Sequence, residues 1–125
     1  MVYIEKSSKS VKDVVSKLEE IISEHKFGIQ CIHNVKEKLE EKGVELGEEC
    51  QIIDICNPLI AKEFLSANMS LSSVLPCKIS IYSEKGETYI AMNSLVQLVD
   101  DISPDLIKTA QDAQDRILKL IEEIK

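Results

Sequence analysis

The sequence predicts an α+β domain in two layers: a mostly antiparallel five-stranded sheet, in the order strand–helix–four strands–helix, with a long C-terminal helix. Three observations carry this. Apolar residues recur at spacings of three and four in two long segments, one near each end of the chain. Between them, short segments alternate apolar and polar residues and are separated by Gly, Pro and Asn. The 125 residues fit a single domain, residues 1–125, and a hydrophobic fraction of 44% supplies its core.

The elements follow in order. Residues 2–5 form a strand with Val2 and Ile4 on one face. Ser10 is placed to cap a helix over 11–25, in which Val11, Val14, Val15, Leu18, Ile21 and Ile22 make one apolar side. Residues 27–33 form the second strand. Regular alternation puts Phe27, Ile29, Cys31 and His33 on one face, which makes Cys31 a core residue. Asn34 caps a short helix over 35–42, and Gly43 suits its left-handed end. The third strand, 50–56, carries isoleucine on both faces, the pattern of a strand covered on both sides.

Asn57-Pro58 is a helix start, with Asn as cap and Pro as first helical residue, and the helix runs to about residue 67. Residues 68–74 are polar and loop-like. Pro76 restricts the approach to a fourth strand over 77–83, where Cys77, Ile79 and Ile81 share a face. Residues 84–87 make a hairpin turn around Gly86, and 88–92 return as the fifth strand. A short helix over 94–101 precedes a second start signal, Ser103-Pro104-Asp105. In the last helix Leu106, Ala110, Ala113, Ile117, Leu120 and Ile124 step by 4, 3, 4, 3 and 4. Under three heptads is short for a free coiled coil. The stripe is expected to pack on the protein's own sheet, with part of it open to a dimer interface.

Composition excludes some functions. The net charge is -7 and the pI about 4.9. Arg116 is the only arginine, and the lysines alternate with glutamates, so no basic stripe exists for a phosphate backbone. With no Trp and five other aromatics, stacking platforms for bases are poor. Neither nucleic acid nor an anionic membrane is an expected partner. No leader-like or membrane-spanning segment is visible, so the expected compartment is the cytosol, with reduced thiols. Glycine-rich phosphate loops and nucleophile elbows are absent from the sequence.

The four cysteines, 31, 50, 56 and 77, form no C-x-x-C pair. Cys50 and Cys56 fall at opposite ends of one strand, about 20 Å apart, too far to share a metal, so no metal site is expected. Cys56 directly precedes the helix cap Asn57, and a helix N-terminus favours a thiolate. Cys77 follows Pro76. If their strands are antiparallel neighbours the two cysteines meet; a parallel crossover would separate them. Packing as small hydrophobes is the competing role for both. Asp54, mid-strand between isoleucines, must be paired, functional or solvent-facing. The candidate site is therefore Asp54, Cys56, Asn57 and Cys77, with Cys56 and Cys77 as the catalytic candidates and no cofactor indicated. Two functions are expected: a small-ligand or thiol-dependent site at Cys56 and Cys77, or a non-catalytic homodimeric interaction module in which the cysteines are packing residues.

Cys56-Asn57-Pro58, the helix after it, and Leu75-Pro76-Cys77 leading into an apolar strand resemble the domain-of-unknown-function 302 family over about residues 10–105. Phe27-Gly28 and the hairpin at 84–88 fit the same pattern. The resemblance implies a two-layer fold with a largely antiparallel sheet, an approach of Cys56 to Cys77, and a tendency to dimerise. It implies no activity, and it makes the C-terminal helix look longer than the family core requires.

Overall fold

A computed structural model describes residues 1–125. The strands are β1 (Val2–Ser7), β2 (Gly28–Asn34), β3 (Cys50–Cys56), β4 (Cys77–Glu84) and β5 (Glu87–Asn93). The helices are α1 (Val11–Ile21), α2 (Val35–Glu41), α3 (Pro58–Ala67), α4 (Leu95–Asp100) and α5 (Ile107–Ile124). The strands form one sheet in the order β1-β5-β4-β3-β2, with every neighbouring pair antiparallel. No helix is long and apolar enough to cross a membrane.

Local chemistry sets the element boundaries. The Ser10 hydroxyl accepts from the Asp13 N–H at 3.1 Å and starts α1. Past Ile21 that helix tightens into a 3-10 turn, Ile22–His25, and Lys26 ends it at φ 66. The Asn57 amide oxygen accepts from the N–H groups of Leu59 and Ile60 at 3.0 and 3.1 Å, with Pro58 in the first turn of α3. Residues 69–73, expected as loop, form a 3-10 helix capped by Asn68, whose side chain accepts from the Ser70 N–H. Between β4 and β5 only Lys85 and Gly86 turn the chain, both at positive φ, 52 and 81. That two-residue geometry matches the twist of a hairpin, and Gly86 adopts it without steric cost.

The main core lies on one face of the sheet. Ile53, Ile55, Ile79, Ile81, Ile90 and Met92 are buried against Val14 and Leu18 of α1 and Ile117, Leu120, Ile121 and Ile124 of α5. A second cluster joins Phe64 of α3, Leu71, Leu95 and Val99 of α4, and Ala110 and Ala113 of α5. The C-terminal stripe therefore packs inside its own chain, first on α3 and α4 and then on the sheet. Gln114, buried on the same helix, accepts from the Ser94 hydroxyl and the Val96 N–H and donates to Tyr3.

Two expectations change. β3 has apolar cover on one face only: Ile53 and Ile55 are buried there, whereas on the opposite face Ile52 is half-buried and Asp54 is buried among polar side chains. In β2 the register against β3 shifts between Ile29 and Cys31, leaving Gln30 unpaired as a bulge. Ile29 pairs with the buried Ile55, but Cys31 pairs with Asp54 on the open face, and Cys31 is exposed rather than core. The extra residue breaks the period of two, so the strand's two halves present opposite parities to the core.

Ile79, central in β4 and fully buried, tests the one-sided core. Ile79→Ala should lower unfolding stability by about 2–5 kcal/mol in urea titration, whereas Ser80→Ala on the open face should change it by less than about 0.5 kcal/mol.

Candidate functional site

The antiparallel pairing of β3 with β4 sets Cys77 opposite Ile55, next to Cys56. The chain leaves β3 at Cys56, turns through Asn57 into α3, and returns through a cis Leu75–Pro76 peptide. Cys56, Asn57 and Cys77 consequently line one cleft, about 270 Å³ in volume, between α3 and the ends of the two strands. Phe27, Ile55, Ile60, Leu65 and Leu75 supply most of its wall. A neighbouring cleft of about 240 Å³ lies along the same Leu75-Pro76-Cys77 segment, walled by Val74, Met92, Leu95, Leu98 and Ile117. Both are mostly apolar.

No Asp, Glu, Lys or Arg lines the first cleft. Burial, helped by the neighbouring Cys56, pushes the Cys77 thiol up to about 11. Cys77 is a neutral thiol at physiological pH. Both amide atoms of Asn57 serve the fold, the oxygen as the α3 cap and the nitrogen as donor to the Lys26 carbonyl at 3.0 Å. The thiols are free.

Asp54 does not line this cleft. It lies among polar side chains on the open face of the sheet, where three strands bring their groups into register. Lys78 of β4 donates to Asp54 Oδ1 at 2.8 Å, and His33 Nε2 sits 2.9 Å from Asp54 Oδ2. Cys31 Sγ is 3.9 Å from His33 Nδ1, and Lys38 of α2 approaches the same nitrogen at 3.4 Å. The Lys78 hydrogen bond, followed by the His33 one, holds the Asp54 carboxyl below the usual carboxylate range.

Cys31, His33 and Asp54 offer a thiolate, an imidazole and a carboxylate within 4.8 Å of one another, a donor set suited to zinc or copper. Two ammonium groups, Lys38 and Lys78, contact the same atoms and oppose a further cation. Cys50 lies at the far end of β3, opposite Tyr82, where burial raises its thiol.

Of the residues singled out from the sequence, the fold gathers Cys56, Asn57 and Cys77 and sends Asp54 elsewhere. The partners it finds there, Cys31 and His33, were hidden by the bulge at Gln30. Only the cross-strand register reveals them.

Comparison with known proteins agrees with this fold. The sequence profile of a family described as "Domain of unknown function DUF302" matches residues 3–124. A crystal structure of an uncharacterized conserved protein DUF302 from Bacillus stearothermophilus superimposes with a TM-score of 0.94 at 30% identity, covering 99% of this chain and 98% of that one. Both spans include α5, so the long C-terminal helix belongs to the shared fold and is no appendage. No curated protein matches.

The depressed Asp54 carboxyl contributes stability that is present above the unfolded carboxylate value of about 3.9 and is lost as pH falls through the lowered folded value. The melting temperature of the wild type should therefore drop more steeply below about pH 4 than that of Asp54→Asn, as followed by circular dichroism.

Proposed function

Because the chain belongs to the DUF302 family, whose description carries no reaction, its function has to come from its own site, and we propose that it binds a small, predominantly apolar molecule in the cleft between α3 and the ends of β3 and β4. The observation that carries this is the cleft itself: about 270 Å³, with apolar walls, and with Cys56 and Cys77 as its soft, polarizable groups. Its volume lies just under the roughly 300 Å³ at which drug-sized pockets begin, so the ligand is small. A Cys77 thiol held near 11 supports binding over nucleophilic catalysis at this position. Four free thiols fit a reducing compartment, the cytosol.

The chain has no Trp, so the fluorescence of added indole, excited beyond the absorption of its three tyrosines, can be followed free of tryptophan background. Indole, a neutral bicyclic probe, should bind saturably at one site per chain. Ala61→Phe projects a ring into the cleft and should weaken that binding at least about tenfold, while His33→Gln on the open face should leave it unchanged. Equal indole affinity in Ala61→Phe and the wild type would sink the reading.

A second reading, a homodimer, is favoured by the edge strand β1, where Val2 and Ile4 are 54% and 55% exposed beside Ala91 on the uncovered face of the sheet. Light scattering should then give twice the 14.1 kDa chain mass for the wild type and the single-chain mass for Ile4→Lys. A wild type that stays monomeric at millimolar concentration argues against it.

A further inference from the structure

The open-face cluster has an arrangement that the apolar cleft lacks. Lys78 occupies Asp54 Oδ1 and leaves Oδ2 to the ring of His33. With the carboxylate accepting at Nε2, a neutral ring carries its proton there and its lone pair on Nδ1. Nδ1 is the nitrogen that faces Cys31 Sγ, at 3.9 Å, within reach of a sulfur donor. The sequence is thus thiol, base, orienting carboxylate, with Lys78 fixing the carboxylate in turn. Lys38 stands 3.4 Å from Nδ1, and its charge favours an anion beside it over a metal cation. Cys31 is exposed, whereas Cys50, Cys56 and Cys77 are all partly covered.

We propose that Cys31 is a thiol–disulfide exchange site that forms a mixed disulfide with a low-molecular-weight disulfide, with His33 as general base and Asp54 as the residue that positions it. In the forward step the Cys31 S–H proton passes to His33 Nδ1, and Sγ attacks one sulfur of R–S–S–R. The external S–S bond breaks, its electron pair leaves on the second sulfur, and that sulfur takes the proton from His33 to depart as R–SH. Cys31 is oxidised to Cys31–S–S–R as half of the external disulfide is reduced to thiol. Neither apolar cleft reaches Cys31. A small flexible disulfide needs neither, because it can align its own S–S bond with the incoming sulfur on an open surface.

The test uses the full chain and glutathione disulfide, with the adduct at each cysteine quantified over time by peptide mass mapping. Cys31 is expected to be modified first. His33→Gln should slow that modification at least about tenfold, and Asp54→Asn should slow it by a smaller factor. The pH–rate profile separates catalysis from structure. In the wild type, Cys31 should keep reacting below the ordinary thiol value of about 8.5, whereas His33→Gln should follow a single thiol ionisation. Asp54→Asn should shift the same profile with its circular-dichroism spectrum unchanged. Asp54 and Lys38 contact the ring and Lys78 contacts Asp54; their charges are accounted for by repeating the profile in Lys38→Ala, which should lower the rate and keep the profile's two-step form. The same Cys31 rate and profile in His33→Gln, or earlier modification of Cys50 or Cys56, overturns the proposal. So does protection of Cys31 by micromolar Zn²⁺ in the wild type but not in His33→Gln, which would identify a metal site instead.

Discussion

The closure of one sheet face by α1 and α5 is the constraint on which the other features depend. Ile53, Ile55, Ile79, Ile81 and Ile90 are fully buried there, and apolar area removed from water on this scale is the dominant stabilising term for a domain of 125 residues. Because the opposite face has no such apolar cover, each strand must alternate, and every second position is released from the apolar core. His33, Asp54, Lys78, Tyr82 and Tyr89 occupy those released positions, and the two tyrosines stack at 5.6 Å between ring centres. The same constraint produces the cleft. The main core ends where β3 and β4 end, and a second core begins under α3 and α4. Cys77 packs against both, and the seam between them is where the walls part.

Most of the fold was legible because its signals are local. Helix periodicity over α1 and α5, the caps at Ser10, Asn34, Asn57 and Ser94, and the Lys85-Gly86 turn each depend on residues within a few positions of one another. The placing of Cys56 and Cys77 along one cleft was legible only conditionally. It required the antiparallel option, which the family resemblance favoured and the pairing of Ile55 with Cys77 shows. What stayed hidden was non-local. Gln30 carries no mark of a bulge in its own chemistry; it is unpaired because β3 takes up the register on either side of it. The cluster of Cys31, His33 and Asp54 follows from that single displacement. The apparent two-sided burial of β3 misled for a related reason: Ile52 is apolar, but it sits beside Ser80 and His33 on the open face.

Four cysteines in one small domain end in four environments, and environment sorts their chemistry more than sequence position does. Cys77 is sealed between two cores and held protonated. Cys50 is partly covered near Tyr82, and burial moves it in the same direction. Cys56 shares the cleft with Cys77 beside the α3 cap, whose amide N–H groups are already taken by Asn57. Cys31 alone has solvent on one side and an imidazole on the other. At the helix start that drew attention to Cys56, the N–H groups of Leu59 and Ile60 already donate to Asn57.

The bulge at Gln30 also acts as a phase marker for the strand. Deleting that one residue would leave Ile29, Cys31 and Ile32 opposite the consecutive residues Ile55, Asp54 and Ile53, an unbroken alternation in which Phe27 and Ile29 stay in the core and Cys31 and His33 stay on the open face. Homologous chains that differ here by a single-residue gap would thus expose the same side chains, and an ungapped alignment carried across Gln30 would assign each residue beyond it to the wrong face.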